Sequence, residues 1–249
     1  MSKTALLNAL KHADLERVRA ILRAQPELKQ LRNDKGFNLL QIAASRATVD
    51  DPAAANRQLR LAKWLVGEGL DPRAIHVTAP GEDGEEDAAR VSLAWFAVAK
   101  AQNNRLARYF LQQGAAPGAL FAAAWWGNAD ILPDLVRHGA DLDEVAGATP
   151  LHMAVDVFQR GIEGNPPLAR QRVKVLKELL RLGANPNVPS VKGATPLHLA
   201  LKRDSFEAFA MLLRHGGDPD VPNRDGQTVR EIAARKRDKR YLDAIEARS

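Results

Sequence analysis

Apolar residues between Thr195 and Gly216 fall into two short runs with the spacing of amphipathic helices. The first run follows a threonine that can cap a helix and a proline suited to the first helical turn. Its apolar members are Leu197, Leu199, Ala200 and Leu201, and those of the second run are Phe206, Phe209, Met211, Leu212 and Leu213. Gly216 ends the second run, because glycine adopts the left-handed conformation of a helix C-terminus without strain. The pattern predicts two short paired helices, which need similar pairs on both sides to bury their apolar faces.

The same pattern recurs along the chain. Thr195 and Thr228 are 33 residues apart, and so are Gly183 and Gly216. Residues 148–154 (ATPLHMA) repeat the capping phrase and residues 179–187 (LLRLGANPN) repeat the closing phrase. This period and the T-P-L-H-x-A motif resemble the ankyrin repeat. The resemblance implies an all-α fold, an ankyrin-repeat solenoid of stacked helix-turn-helix units with short hairpin turns.

The resemblance extends over nearly the whole chain and predicts a single domain, residues 1–249, of about seven units. Their approximate bounds are 2–32, 33–73, 90–117, 118–143, 147–187, 193–220 and 225–249. The first unit lacks the capping phrase and the last ends in a strongly charged helix. Both are therefore expected to be terminal caps, whose outer faces meet water.

Several units depart in length from the template at 193–216. Ten residues are inserted around 46–56, 11 between 71 and 91, and 13 around 159–169, whereas the fourth unit lacks eight residues before its helices and should form no hairpin there. Asp50-Asp51-Pro52 is expected to break any helix, so that the second helix of its unit covers 59–66. Residues 78–87, rich in acids, glycine and proline, predict a mobile, solvated loop. One further residue is added between Ala97 and Gly114.

Composition limits the chemistry and the compartment. The chain contains no cysteine, which excludes disulfides, thiolate metal sites and a cysteine nucleophile. Charges interrupt every apolar run near the N-terminus, which predicts neither a secretory signal nor a membrane span. A cytoplasmic protein is expected, with specialised export that needs no cleaved signal as the alternative. The net charge of +6 is spread over nearly every helix, so a solvated basic surface is favoured over nucleic-acid binding.

Catalytic and nucleotide-binding motifs are not found in the sequence. The repeat itself explains four of the six histidines, His138, His152, His198 and His215. His12 is expected on the surface of the first helix, and His76 is expected to be solvated in the long loop. The acidic loop lacks the alternating ligand spacing of an EF-hand. We therefore predict a protein that is not an enzyme, with no catalytic, cofactor-binding or metal-binding residues.

The departure from the template that bears most on function is a pair of tryptophans in the fourth unit. Trp125 and Trp126 stand where the template has Lys202 and Arg203. The resemblance places these positions on the exposed concave side of the first helix, where two large rings suggest an anchor for a partner. The alternative is that the insertion at 159–169 covers them. Trp95 and Phe96, in contrast, are expected in the core.

Each unit has a reference alanine, the residue that aligns with Ala200 of the template. Counting two and three places past it in every unit extends the tryptophan position into a line. The predicted partner-binding residues on it are Trp125, Trp126, Arg46, Lys100, Asp156, Lys202, Arg203 and Arg235. The line is basic at both ends and aromatic in the middle, which predicts a protein partner with an apolar anchor flanked by carboxylates.

The function implied by the resemblance is a non-catalytic protein–protein interaction scaffold that binds on its concave face, as a monomer without a membrane. Three alternatives stay open: an exported effector, a toxin inhibitor or immunity protein, and a nucleic-acid-associated adaptor that uses the basic C-terminal helices. Fold alone does not choose among them.

Overall fold

The computed structural model of the protein describes residues 2–49, 51–77, 90–162 and 166–247, and it is mostly helical over these ranges, which confirms the all-α prediction. The chain divides into two compact units, residues 1–119 and 120–249. Each unit is built from short antiparallel helix pairs.

The first unit contains three helix pairs among its described residues. The helices are α1 (Lys3–Lys11), α2 (Leu15–Ala24), α3 (Leu39–Ala43), α4 (Pro52–Gly67), α5 (Leu93–Trp95) and α6 (Asn104–Gln112). A 3-10 turn, Pro26–Gln30, follows α2, and a π-helical turn, Phe96–Lys100, continues α5. The strands β1 (His76–Val77) and β2 (Arg90–Val91) pair antiparallel, with His76 opposite Val91. Successive pairs contact each other, α1 with α3 and α4 with both α2 and α6.

The second unit repeats this arrangement. Its helices are α7 (Leu120–Trp125), α8 (Leu132–Arg137), α9 (Pro150–Ile162), α10 (Pro166–Arg181), α11 (Pro196–Lys202), α12 (Phe206–Arg214), α13 (Val229–Arg235) and α14 (Arg240–Glu246), with a 3-10 turn, Ala129–Ile131, before α8. α9 contacts both α7 and α11, and α11 contacts α13. These four helices, the first of each pair, are called the first-helix row below.

Small side chains let the first helices approach one another closely. The reference alanine used to align the units is buried in every case: Ala9, Ala43, Ala97, Ala123, Ala154, Ala200 and Ala233. Leucines on either side, such as Leu197 and Leu201, fill the space between the two helices of a pair. Gly216, at φ 95°, ends α12 in the left-handed conformation expected from the sequence.

Two insertions lengthen helices, which corrects the sequence interpretation. α4 begins at Pro52, with the Asp51 side chain accepting a hydrogen bond from the Ala54 N–H at 2.8 Å. Asp51 and Pro52 therefore start the helix rather than break it, since aspartate is a good N-cap and proline fits the first turn. Likewise, α9 extends to Ile162 and α10 starts at Pro166, so most of the 159–169 insertion is helical.

The single extra residue between Ala97 and Gly114 is accommodated by the π-helical turn. The N–H of Ala101 donates to the carbonyl of Phe96, five residues earlier, at 3.0 Å. Thr48 covers the end of this turn, because its N–H and its hydroxyl both donate to the Ala101 carbonyl, at 2.8 and 3.2 Å. A one-residue insertion is thus absorbed without disturbing α6.

The expectation that His76 is solvated is wrong. Its ring is only 8% exposed and lies edge-on to Phe37, with the ring centroids 4.6 Å apart. The pairing of β1 with β2 holds it there. Phe96 is fully buried against Phe37, which confirms its assignment to the core, and Trp95 is half-buried. The loop predicted to be mobile, 78–87, lies outside the described residues.

Candidate protein-binding surface

The predicted partner-binding residues are distributed over both compact units. Arg46 and Lys100 belong to the first unit. The other six belong to the second, where all of them lie on or directly after helices of the first-helix row: Trp125, Trp126, Asp156, Lys202, Arg203 and Arg235. The surface described below is the part formed by the second unit.

Trp125 and Trp126 lie at the end of α7. The N–H of Trp126 still donates to the Ala122 carbonyl at 3.0 Å, so the helical turn continues through it. Gly127 then reverses the chain at φ 70°. The two tryptophans are 47% and 44% exposed, whereas Ala123 and Ala124 beside them are fully buried. Nearly half of each indole therefore stays open to solvent, which supports the exposed arrangement over complete cover by the insertion.

The neighbouring helix continues past this point. α7 ends two residues after Ala123, while α9 ends eight residues after the corresponding Ala154. At 1.5 Å per residue, α9 extends about 9 Å further than α7, which it contacts. The tryptophan pair therefore lies at the foot of a step formed by the longer helix.

Asp156 and Arg203 form an ion pair that joins α9 to the C-terminus of α11. The two side chains are 21% and 38% exposed. Two of the predicted binding residues thus contact each other, and their charges cancel locally. Counting positions along each helix could not reveal this pair, because it depends on how neighbouring repeats are aligned in space.

A second ion pair joins α11 to α13. Lys236 Nζ lies 3.1 Å from Asp204 Oδ1 and also donates to the Leu201 carbonyl at 3.5 Å. The hydroxyl of Tyr241 donates to the same carboxylate oxygen at 3.1 Å. The hydrogen bonds from Lys236 and Tyr241 hold the pKa of Asp204 below its ordinary value. Burial, followed by the hydrogen bond to Asp204, raises the pKa of Tyr241. Sequence reasoning missed this cluster as well.

Lys202 and Arg235 remain exposed at the ends of α11 and α13. Neither forms an ion pair with any described residue, and the same is true of the exposed Arg237. The edge of the first-helix row therefore carries positive charge that no described residue neutralises.

In the first unit, the two predicted residues have different surroundings. Arg46 is exposed, and its main-chain carbonyl accepts a hydrogen bond from Gln58 Nε2 at 3.1 Å. Lys100 Nζ lies 5.2 Å from the centre of the Trp95 ring, a cation–π arrangement.

The motif histidines have structural roles on the same row. In the Thr195–His198 cap, the Thr195 N–H donates to His198 Nδ1 at 3.3 Å, so the ring proton resides on Nε2. That nitrogen donates to the Gln227 carbonyl of the next repeat at 3.1 Å. His152 is arranged in the same way and donates to the Ala194 carbonyl at 2.7 Å. Burial lowers the pKa of both histidines. Through these hydrogen bonds, each ring joins its own cap to the turn of the next repeat.

Two clefts open on the second unit. One, of about 380 Å³, is lined by Asn187, Gly216, Asp218, Pro219, Asp220, Arg230 and Ile245. The other, of about 480 Å³, is lined by Ala129, Asp130, Pro133, Lys174, Lys177, Glu178 and Arg181. The charged groups in them include the pairs Arg230–Asp220 and Arg181–Glu178.

Across the described part of the chain, no cluster of three or more His, Asp or Glu side chains could hold a metal ion. Within the same ranges, no helix combines the length and the apolar character needed to cross a bilayer.

Comparisons with known proteins agree with this architecture. Residues 146–191 match the family model described as ankyrin repeat, and residues 179–233 match the model described as ankyrin repeats (many copies). No curated protein matches the sequence closely enough to count as a relative.

Solved structures with the same fold include two ankyrin repeat domains. The crystal structure of the ankyrin repeat domain of Bcl-3, a member of the IkappaB protein family, is 22% identical with a TM-score of 0.71, over 98% of this chain and 99% of that chain. The human ASB11 ankyrin repeat domain is 20% identical with a TM-score of 0.70, over 100% of this chain and 98% of that chain. Residues 146–233 are therefore ankyrin repeats, and the chain as a whole has the fold of an ankyrin repeat domain.

Proposed function

We propose that the protein is a non-catalytic scaffold that binds a partner protein on the first-helix row of its second unit. Ankyrin repeats are generally protein–protein interaction modules, which supports a protein partner. The observation that carries the location is the exposed pair Trp125 and Trp126.

Exposed tryptophans of this kind are suited to anchoring a partner. Nearly half of each indole is available to a partner, and only two side-chain torsions have to be fixed on binding. Tryptophan is also enriched among the residues that dominate binding energy. Trp125 and Trp126 are adjacent and lie beside the projecting end of α9. A partner side chain placed at this step would contact two rings and the flank of a helix, which favours specific over diffuse association.

Affinity purification from the source cells followed by titration with the purified partner tests the proposal. We expect Trp125→Ala or Trp126→Ala to weaken binding by at least about 2 kcal/mol, a hot-spot value. Val191→Ala is the matched control, because Val191 is a 59% exposed apolar residue on a turn of the same unit. Its binding should equal that of the wild type.

A melting curve for each variant separates lost contact from lost structure. Normal binding by both tryptophan variants, or loss of binding only in step with unfolding, would place the binding surface elsewhere.

A further inference from the structure

We infer that the segment bound by the second unit is an extended acidic stretch of the partner, with carboxylates that contact Lys202 and Arg235. This inference rests on the proposed function, because it specifies the partner for the same surface.

The first argument is the charge that the fold leaves uncompensated. The described acids at this edge of the first-helix row are all engaged: Asp156 with Arg203, Asp204 with Lys236 and Asp238 with Arg240. Lys202 and Arg235 are exposed and form no ion pair with described residues. A partner therefore meets cations whose intramolecular counter-charges are already in use, which selects carboxylates and disfavours basic segments.

The second argument is spacing. Lys202 and Arg235 are the last residues of α11 and α13, and the contacts of Lys236 with Asp204 and Leu201 tie these two helix ends together. Packed helices lie roughly 8–10 Å apart, and an extended chain advances about 3.3 Å per residue. Carboxylates about three residues apart can therefore reach both cations.

The same spacing relates the charges to the tryptophans. Trp125 ends α7, two helices away from α11 in the first-helix row. That separation is about 20 Å, or about six residues of extended chain. The expected partner segment has an apolar residue at one end and, about six and nine residues away, two acidic residues.

Nucleic acid fits these observations less well. Affinity for a duplex depends on how many of its closely spaced phosphates, one charge per about 1.7 Å, are neutralised by lysine and arginine side chains. Here three cations, Lys202, Arg235 and Arg237, form no ion pair with a described residue, and internal ion pairs lie among them. This sparse pattern suits a few spaced carboxylates.

The test is selection of a phage-displayed library of random peptides about 15 residues long, sufficient in extended form to span the three helix ends. The bait is the full chain. We expect enriched peptides to carry acidic residues about three apart with an apolar residue further along the chain. Synthetic copies should bind about tenfold more weakly for each charge reversed in Lys202→Glu and Arg235→Glu, and the difference should shrink at high salt.

Matched variants keep the test sharp. Lys177→Glu reverses an exposed lysine on α10 and should leave peptide binding unchanged. The variants with neutral substitutions, Lys202→Gln and Arg235→Gln, should lose less affinity for the peptides than the variants with reversed charge. Melting curves show whether each variant is folded.

The outcomes distinguish this inference from the proposed function. If charge reversal weakens binding of the selected peptides and Trp125→Ala does not, the acidic segment is supported and the tryptophan anchor fails. If the tryptophan variants weaken binding and charge reversal does not, the anchor is supported and the acidic segment is overturned. Enrichment of neutral or basic peptides, or of none, also overturns it. So does binding of labelled single-stranded or duplex oligonucleotides that charge reversal abolishes.

Discussion

Asn103 and Gln58 form a buried side-chain hydrogen bond in the first unit, with Asn103 Nδ2 donating to Gln58 Oε1 at 3.0 Å. Gln58 Nε2 in turn donates to the Ala43 carbonyl at 2.8 Å, at the end of α3. One polar residue in the middle of α4 thus links the ends of two other helices. Buried networks of this kind are stabilising only while every member has a partner.

Gln58→Leu should therefore destabilise the first unit by about 2–3 kcal/mol, because it removes the hydrogen bond from Asn103 and leaves the Ala43 and Arg46 carbonyls without the donor that Gln58 supplies. Asn103 keeps its hydrogen bond to the Ala55 carbonyl. Urea unfolding measures the loss. Gln113→Leu, at an exposed helix end, is the control and should change stability by less than about 0.5 kcal/mol. Equal stability of both variants would show that water replaces the network.

His198→Ala should lower the free energy of unfolding by about 1–3 kcal/mol, since it removes the ring's hydrogen bonds to the Thr195 N–H and to the Gln227 carbonyl, although the Thr195 hydroxyl still caps α11. His138→Ala is the comparison, because His138 is exposed and its ring is hydrogen-bonded to the Asp134 carbonyl of its own helix. Its effect should be clearly smaller. If the two substitutions lower the free energy of unfolding equally, the hydrogen bond from His198 to the next repeat contributes nothing measurable.

Stability should fall as the pH drops below about 6.5, the ordinary pKa of histidine. Burial lowers the pKa of His152 and His198, so the unfolded chain takes up protons at a pH where the folded protein does not. The contribution of these two histidines to the free energy of unfolding is therefore complete above pH 6.5. It is lost as the pH falls toward the lower pKa that each has in the folded protein. Thermal unfolding between about pH 8 and 5 measures it.

The double variant His152→Gln and His198→Gln should show a flatter pH profile than the wild type over that interval. Carboxylates with lowered pKa, such as Asp204, titrate at lower pH and should affect both proteins alike. A wild-type profile that matches the double variant would assign the pH dependence to other groups.

Removing most of the acidic stretch 78–87 should change stability by no more than about 0.5 kcal/mol, as for surface substitutions. β1 and β2 are antiparallel, so a short glycine-containing turn can connect them. Chemical denaturation of the shortened and full-length proteins makes the comparison. A loss of several kcal/mol would show that the acidic stretch packs against the protein.

The helix pairs could be predicted because each carries its own local signals, as Thr195, Pro196 and Gly216 do. The insertions were harder, since Asp51 and Pro52 favour both a turn and a helix start, and only the packing of α4 decides between them. His76 could not be placed because its burial depends on Phe37, distant in sequence. For the binding surface, alignment placed Trp125 and Trp126 at the end of a first helix but left open whether the 159–169 insertion covers them. Their exposure and the Asp156–Arg203 pair both required the three-dimensional structure.

The histidine hydrogen bonds give the second unit a direction. His152 donates forward to Ala194, and His198 donates forward to Gln227, so each ring is satisfied by a segment that lies later in the chain. During synthesis, the repeats that carry His152 and His198 leave the ribosome before the carbonyls to which these rings donate. Each ring therefore depends on the next repeat for its acceptor, and His198 gains its acceptor only when residues around 227 have emerged. Truncation from the C-terminus removes that acceptor, whereas truncation of the N-terminal repeats removes neither acceptor.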